Sequence, residues 1–486
     1  MVVLIVICIY FAVLMLFSRI TSRSSDNNTF FRAGRRSPWY MVAFGMVGAS
    51  ISGVTFVSVP GMVIYSDMTY LQTCLGFILG YFAVAFVLLP VYYRLNLTTI
   101  YSFLGQRLGV RSYKTGAWFF LLSKMAGAAI RFSIVCLLLS EALAPLFPSI
   151  APTIKLLSPL LLVSLIWLYT RRGGIRTLVW TDTFQTVCML TALLLIIYNV
   201  VIDLGLTPLE AINSIAADSH NRVFVFDDWL SSQNFWKQFL SGVFIVIVMT
   251  GLDQDMMQKN LTCKTLRDAQ KDMCTYGFAF VPVNLLFLSL GVLLMMWYGK
   301  QGMPLPVKGD TLLPQYILSS TSYLVPIVFS VGIVAASFSS ADSALTALTT
   351  TYCVDIRGRV DDEQLRRRVH LCMALVFALI IIGVGLVGSS SIIDTIYVLC
   401  GYTYGPLLGL FAFGLFTRRR VRDKFVPHIA VASPVLCYII EEVVAATTSY
   451  HFGYELLMLN GVLTFAGLVS ISLPQEQPYI RCRQQR

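Results

Sequence analysis

The stretch Gly48-Ala49-Ser50-Ile51-Ser52-Gly53-Val54-Thr55, followed by Pro60-Gly61, interrupts a hydrophobic segment at 38–65. A similar interruption, Thr250-Gly251-Leu252-Asp253-Gln254-Asp255, lies in a second hydrophobic segment at 236–259. Polar groups in mid-span cost free energy in lipid unless they face a cavity or a partner helix. The two stretches therefore predict two broken membrane helices. For the first stretch, small residues that merely permit close helix packing are the alternative interpretation.

The composition of the whole chain supports a membrane environment. Of 486 residues, 57% are hydrophobic and 13% are charged, with a mean hydropathy of +0.74. A soluble domain carries roughly a quarter charged residues, and a spanning helix needs about 20 mainly apolar residues. We therefore predict an all-α polytopic membrane protein with about 13 transmembrane helices. The segments lie at 2–17, 38–65, 71–93, 113–144, 156–169, 177–202, 236–259, 273–298, 322–352, 369–388, 391–416, 425–447 and 454–473.

The positive charges alternate with these segments. The odd-numbered connections and the C-terminal tail hold 29 of the 36 Lys and Arg residues. Basic loops stay in the cytoplasm, so we expect the N-terminus outside and the C-terminus inside. The plasma membrane, as in a bacterial inner membrane, is the expected location. A nucleic-acid surface would instead gather its charges on one stretch, so the net charge of +11 does not indicate a nucleic-acid partner.

The two interrupted segments are five segments apart, so they start on opposite sides of the membrane. Transporters often build a binding site from broken helices at corresponding positions of two inverted repeats. We therefore expect five-helix repeats at 38–203 and 236–417. Residues 1–37 would form a peripheral helix with a cytoplasmic loop, and 418–486 two peripheral helices with a tail. The connection at 204–235 would lie outside, either as a short helix or as a lid.

The ninth segment presents a face of small hydroxyl residues. Ala336, Ser339, Ser340 and Ser343 share this face at helical spacing. Sodium is a hard cation that prefers oxygen, and a broken helix nearby supplies spare backbone carbonyls. The alternative is that these serines bond to carbonyls of their own helix. In the sixth segment, Asp182 is either a first-turn acid that favours the helix dipole or a charge that faces a cation.

Three motifs together resemble the sodium:solute symporter family, which includes carriers of glucose, proline and sialic acid. They are Phe30-Phe31-Arg32-Ala33-Gly34-Arg35-Arg36, the run Gly173-Gly174 to Trp180-Thr181-Asp182 and Gln185, and Ser339-Ser340 with Ser343 and Asp355-Ile356. They occur in family order over some 330 residues. The resemblance implies a LeuT-type core of two inverted five-helix repeats and sodium-coupled import of a small polar solute.

The resemblance also implies site residues. A sodium site would take hydroxyls of Ser339 and Ser340 and carbonyls of Gly48, Ile51 and Ala336. Some members carry a second sodium site, which here matches Asp182, Ser339 and Ser343, with Asp342 adjacent. The seventh segment departs from the family pattern, because Asp253 and Asp255 replace an amide and an aromatic residue; together with Val54 and Thr55, this disfavours a plain hexose.

Arg131 lies near the middle of the fourth segment, where lipid exposure would be costly. Sialic acid carriers of the family hold the substrate carboxylate with an Arg on this helix, and a guanidinium offers a two-pronged donor. The alternative is a structural pair with Asp182, Asp253 or Asp255. Our expected solute-binding residues are those of the broken helices and this arginine: Ser50, Ser52, Thr55, Arg131, Asp253 and Gln254.

Other functional classes receive less support from the sequence. An intramembrane enzyme needs a nucleophile and a base, but the four histidines, at 220, 370, 428 and 451, lie in connections or near segment ends. A receptor needs a soluble output module, and the segments leave no room for one. A proton-coupled or sodium-independent carrier of the same fold is the closer alternative. The sequence predicts no oligomeric state.

Overall fold

A computed structural model describes residues 2–21, 26–143, 151–320, 322–387, 392–448, 450 and 452–473. The first half consists of ten helices: α1 (Val2–Thr21), α2 (Asn27–Arg32), α3 (Trp39–Ser50), α4 (Gly53–Ser66), α5 (Tyr70–Ala83), α6 (Leu89–Arg94), α7 (Ser102–Arg107), α8 (Val110–Leu143), α9 (Ala151–Gly173) and α10 (Ile175–Leu204). A π-helical turn, Val84–Leu88, joins α5 to α6.

The second half continues with ten more helices: α11 (Pro208–Ala217), α12 (Phe235–Val246), α13 (Gln254–Asn260), α14 (Leu266–Lys300), α15 (Leu312–Ser319), α16 (Leu324–Thr351), α17 (Glu363–Val387), α18 (Ile392–Phe416), α19 (Val426–Thr447) and α20 (Leu456–Ser470). Within the described residues, the strands are β1 (Arg420–Val421) and β2 (Ser472–Leu473), which pair antiparallel.

The predicted all-α membrane class is confirmed. Within the described residues, nine helices are long and apolar enough to cross a membrane, and two bent helix pairs qualify when each pair is taken together. Two shorter apolar helices, Ile5–Thr21 and Leu456–Ser470, occupy the first and last predicted segments. These described stretches have only 10–17 residues each, so the count of 13 spans stays a prediction.

The two bent pairs lie where the sequence predicted broken helices. The axes of α3 and α4 differ by 60°, and Ile51 and Ser52 between them have extended backbones. The axis of the helical run Phe235–Gly251, which ends in a π-helical turn at Ile247–Gly251, differs from that of α13 by 70°. A helix that ends leaves its last carbonyls without intrahelical donors, so each break exposes backbone oxygens inside the protein.

Contacts between connections divide them into two groups, one at each end of the helices. The predicted cytoplasmic connections contact one another: Ser37 N donates to Thr262 O at 3.1 Å, Arg35 to Leu97 O at 3.1 Å, and Ser112 N to Asp423 at 2.7 Å. The predicted outer connections do likewise, as Met68 N donates to Arg222 O and Lys300 to Asp203 O. This grouping follows the predicted alternation of the chain, although Arg23, Arg481, Arg483 and Arg486 lie outside the described residues.

The connection at 204–235 contains α11, whose first turn is closed by reciprocal bonds between Thr207 and Glu210. Beyond α11, the imidazole of His220 lies 2.9 Å from Asp67, just past the end of α4. The connection is therefore attached to the first broken helix pair through side-chain and backbone contacts.

Helices α5 and α12 come into backbone contact through two glycines. A Cβ atom added at Gly76 would lie 2.1 Å from the carbonyl oxygen of Phe239, and one added at Gly242 would lie 2.2 Å from that of Thr73. Neither oxygen can move without its helix. The absence of a side chain at both positions thus determines how closely these helices approach.

We expect Gly242→Ala to destabilise the protein, because the added methyl group would force α5 and α12 apart. Overpacking of this kind costs about 1–3 kcal/mol. Gly383→Ala is the matched control, since an added Cβ there has nothing within 4 Å; its effect should be neutral or stabilising by about 0.5–1 kcal/mol, because Ala is the better helix former. Thermal unfolding in detergent measures both, and equal unfolding temperatures for the two variants would contradict the packing argument.

Candidate functional site

A polar cavity lies beside both helix breaks. It contains about 840 Å³ of space not occupied by atoms, including open solvent at its mouth. Its walls come from α3, α5, α8, α12, α13, α14, α16 and α18 and from the second break. The polar lining residues are Ser50, Tyr81, Ser123, Lys124, Arg131, Thr250, Asp253, Asp255, Tyr276, Ser340 and Tyr404.

A buried charge cluster forms one wall of the cavity. The ammonium nitrogen of Lys124 lies 3.1 Å from Asp253 Oδ2 and 2.7 Å from Asp255 Oδ2. The hydroxyl of Tyr404 donates to Asp253 Oδ2 at 2.7 Å. A charge is tolerated at such depth only when it is paired and hydrogen-bonded, and this lysine satisfies both carboxylates that the second break introduces.

Asp253 also has a local backbone role. Its Oδ1 accepts hydrogen bonds from the backbone N–H groups of Asp255 and Met256, at 2.8 and 3.4 Å, and so caps the N-terminus of α13. A capping carboxylate satisfies backbone donors that a broken helix leaves free. Both oxygens of Asp253 are therefore engaged by protein groups.

Arg131 lines the same cavity from α8 and is half-buried. Within the described residues, it has no ion pair or hydrogen bond, in contrast to Lys124 seven residues earlier. The pairing with Asp182, Asp253 or Asp255 that the sequence left open is not formed, because Lys124 and Lys259 pair with those three acids. The Arg131 guanidinium therefore faces the cavity as an unpaired cation.

Aromatic side chains also line the cavity, beside the charge cluster. The rings of Tyr81 and Tyr276 meet edge to face with centroids 4.4 Å apart, and those of Phe77 and Phe280 are 5.7 Å apart. The hydroxyls of Ser50 and Tyr276 are hydrogen-bonded. The cavity thus offers a cation, hydroxyl groups and aromatic surface to one small ligand.

The hydroxyl face of α16 packs against the first break. Ser340 donates to the carbonyl of Ala49 at 2.9 Å, and a weaker contact of 3.4 Å joins it to the carbonyl of Ala336 on its own helix. Ser339 donates to Asp182 Oδ1 at 2.8 Å. Because each hydroxyl gives its hydrogen to a protein oxygen, its lone pairs stay available for a cation.

Asp182 forms a second buried ion pair. The ammonium nitrogen of Lys259 lies 2.7 Å from Asp182 Oδ2, and the two side chains are 2% and 1% exposed. The amide of Gln185, oriented to satisfy both neighbours, donates to Asp182 Oδ1 at 3.2 Å and accepts from the hydroxyl of Tyr10 at 3.2 Å. This second cluster joins α10, α13, α16 and α1.

Asp342 lies beside this cluster on α16 and is fully buried. The hydroxyl of Tyr169 donates to its Oδ2 at 2.6 Å, and that of Ser343 to its Oδ1 at 3.3 Å. The structure therefore brings together the residues that the resemblance assigns to a second sodium site, but it adds Lys259 to them.

Three of the expected solute-binding residues do not line the cavity. Ser52 and Thr55 are buried at the start of α4. The amide of Gln254 accepts from Ile100 N at 2.9 Å and donates to Thr98 O at 3.3 Å, so it holds the 98–100 connection. Ser50, Arg131 and Asp253 do line the cavity.

Sequence reasoning did not assign site roles to Lys124, Lys259, Tyr169 or Tyr404. Lys259 is one of the 29 basic residues that the sequence predicts in the cytoplasmic connections and tail. Its position one helical turn after Asp255 was nevertheless a usable signal. The two tyrosines carried no such signal, because each meets its carboxylate from a helix distant in sequence.

Two bent helices, buried charges in mid-span and a polar cavity between them define a membrane transporter with discontinuous helices. A sequence model described as the sodium:solute symporter family matches residues 30–423. The chain belongs to this family. Membership confirms the predicted family and sodium-coupled symport as its class of activity, and it excludes an enzyme.

Individual relatives are similar at low identity over most of their length. The chain is 28% identical to the sodium/sialic acid symporter NanT of Aliivibrio fischeri, over 82% of this chain and 79% of the relative. It is 24% identical to the sodium/sialic acid symporter SiaT of Proteus mirabilis, over 85% and 84%. The human sodium/iodide cotransporter is 24% identical, over 79% of this chain and 61% of that protein.

Solved structures confirm the LeuT-type fold. A substrate-bound, outward-open sodium-coupled sialic acid symporter superposes with a TM-score of 0.81 at 20% identity, with 97% of each chain covered. Mhp1, a nucleobase-cation-symport-1 family transporter, gives a TM-score of 0.57 at 15% identity, over 92% of this chain and 94% of that chain.

Proposed function

We propose that this protein imports a small organic anion together with sodium, and that the anion binds in the cavity between the two broken helices. The unpaired guanidinium of Arg131 carries the proposal. Every other charged residue on the cavity wall is paired, so Arg131 is the group whose charge an anionic ligand would neutralise. A carboxylate matches the two parallel N–H donors of a guanidinium.

Sodium would bind next to this cavity, at the contact between α16 and the first break. The proposed ligands are the hydroxyls of Ser339 and Ser340 and the carbonyls of Gly48, Ile51 and Ala336. Two facts support the set: Ser340 and Ala49 both line the cavity and are joined by a hydrogen bond, and α3 ends here with unsatisfied carbonyls. Sodium at this position would attach the first broken helix to α16.

The relatives support an anionic solute. Several of them are named as sodium-coupled carriers of sialic acid, iodide or monocarboxylates, which are all anions. A sialic acid type of solute would use Arg131 for its carboxylate and the hydroxyls of Ser50, Thr250 and Tyr276 for its polar groups. Lys124, Asp253 and Asp255 would then form a fixed wall of the cavity.

In the proposed cycle, two inverted repeats, 38–203 and 236–417, form the core, and groups of helices within this core would move relative to one another so that the cavity opens to one side at a time. The flanking parts, 1–37, 204–235 and 418–486, would lie outside this core. Because the basic connections lie on one side, we propose a plasma membrane orientation with the N-terminus outside and the C-terminus in the cytoplasm.

Uptake of a labelled acid into proteoliposomes tests the coupling. With sialic acid and a panel of monocarboxylates as probes, an inward sodium gradient should drive accumulation above equilibrium. Equal accumulation under a proton gradient without sodium would favour the second candidate, a proton-coupled carrier. Accumulation of neutral sugars alone would contradict the anion proposal.

The sodium ligands lead to a second expectation. Ser339→Ala with Ser340→Ala should weaken sodium binding at least tenfold, or about 1.4 kcal/mol, because two oxygen ligands are lost while the helix is kept. Ser330→Ala is the matched control, since that hydroxyl lies on the same helix and bonds only to Pro326 O among the described residues. Sodium-dependent binding to purified protein measures both, and an unchanged sodium affinity in the double variant would refute the site.

Arg131 leads to a third expectation. Arg131→Lys keeps the charge but loses the paired donors, and should weaken binding of the acid by about 1–3 kcal/mol. Arg131→Gln should weaken it further while sodium affinity is unchanged. Lys155→Gln is the control, because this lysine lines a separate cavity between α8, α9 and α17. Wild-type affinity for the acid in folded Arg131→Gln would rule out this role.

A further inference from the structure

A second cavity lies between α8, α9 and α17, and we call it the α8–α9–α17 crevice. It contains about 840 Å³ of space not occupied by atoms, including open space at its mouth. The two cavities share no described lining residue, so the crevice is separate from the solute cavity. The lining residues that matter below are Ser133, Ser140, Lys155, Pro159, Ile381 and Gly385.

The walls of the crevice are mostly apolar. Aliphatic side chains of all three helices form most of the lining. The hydroxyls of Ser133 and Ser140 donate to carbonyls of their own helix, Ile130 O at 2.8 Å and Leu137 O at 2.7 Å. Serine often satisfies its hydroxyl in this way inside a helix. The walls therefore suit a hydrocarbon chain better than a polar ligand.

One positive charge lies at one end of the crevice. Lys155 is the one charged side chain among its described lining residues, and the ion pairs of the described residues do not include it. It is exposed and lies near the start of α9, at the end of the helices that we propose to face outside. A lysine at such a position extends its ammonium to the lipid headgroups while its stem lies along apolar surface.

The crevice continues as a groove between α9 and α17. A smaller cavity of about 270 Å³ lies next along the same two helices. On α9 its lining starts at Leu160, the residue after Pro159, and reaches Trp167; on α17 it extends to Leu371. At about 1.5 Å per residue, α9 advances about 18 Å from Lys155 to Trp167. Half of a hydrocarbon core is about 15 Å thick, so the groove has the length of one lipid leaflet.

We propose that the α8–α9–α17 crevice binds one phospholipid with an anionic headgroup. The headgroup phosphate would pair with Lys155, and one acyl chain would lie in the groove between α9 and α17. Charge complementarity favours the headgroup, and an apolar space as deep as one leaflet favours the chain. A lipid on an open protein surface has neither the enclosing walls nor the fixed charge.

The proposed lipid would not compete with the solute. By the helical repeat, Ser133 and Ser140 lie on the face of α8 opposite Arg131, which lines the solute cavity. The lipid site would therefore lie behind the helix that carries the arginine. The inference uses neither the identity of the solute nor its coupling to sodium.

The headgroup is tested by native mass spectrometry of the purified full-length protein. The protein is equilibrated with vesicles of equal parts phosphatidylglycerol and phosphatidylcholine that have identical acyl chains. Wild type should retain one phosphatidylglycerol molecule. Lys155→Gln should lower the preference for phosphatidylglycerol by about fivefold, the contribution of one lysine near a membrane surface. Lys308→Gln is the matched control, because Lys308 is exposed in an outer connection and lines neither cavity.

Gly385→Leu tests the place of the acyl chain. Gly385 lines the crevice, and a Cβ added there has nothing within 4 Å, so the larger side chain would occupy the crevice without displacing protein atoms. This variant should lose most of the bound phosphatidylglycerol. Gly383→Leu is the matched control, because its added Cβ is equally free but Gly383 does not line the crevice; it should retain the lipid.

Equal retention of the two lipids by wild type would overturn the inference, as would unchanged retention in Gly385→Leu or an unchanged preference in Lys155→Gln. A second copy of the chain on this face in place of a lipid would also overturn it, and the doubled mass would reveal the dimer. Because wild type and Lys155→Gln alone decide the headgroup, a failure of Gly385→Leu to fold leaves the proposal testable.

Discussion

Backbone that leaves the helical path inside a membrane protein must find hydrogen-bond partners within the protein, because lipid provides none. This requirement explains the polar interior of the chain. At the first break, the hydroxyl of Ser340 satisfies the carbonyl of Ala49. At the second, Asp253 satisfies the N–H groups that begin α13, and its charge in turn requires Lys124. The buried charges of Asp253 and Lys124 are thus consequences of the second break.

The same requirement brings the proposed solute and ion sites together. The side chain that bonds to the first break lies on α16, and those that bond to the second lie on α8 and α18. The cavity beside the two breaks is therefore lined by polar groups of all three helices. Arg131 is the exception, since no break requires it and no described residue pairs with it. A charge kept without a structural partner is the strongest indication of a ligand at that position.

The sequence was sufficient for much of the fold. Apolar segments and the alternation of basic connections predicted the helices, and two polar interruptions located both bends. Even the motif glycine at 174 has a physical reason: its backbone has a positive φ of 50°, and an added Cβ would lie 2.6 Å from the ring of Phe30, another motif residue. The partners of buried carboxylates were harder to predict. Tyr404 and Lys259 reach theirs across helices far apart in the chain, so no local spacing reveals them.

The backbone contact between α5 and α12 has a mechanical consequence. Gly76 and Gly242 bring each helix against a carbonyl of the other, so sliding of one helix past the other would bring backbone atoms into collision. These helices belong to different halves of the chain, yet we expect them to move together as one rigid pair. Any opening of the cavity to either side would therefore occur between this pair and the other helices that line the cavity, such as α8 and α16.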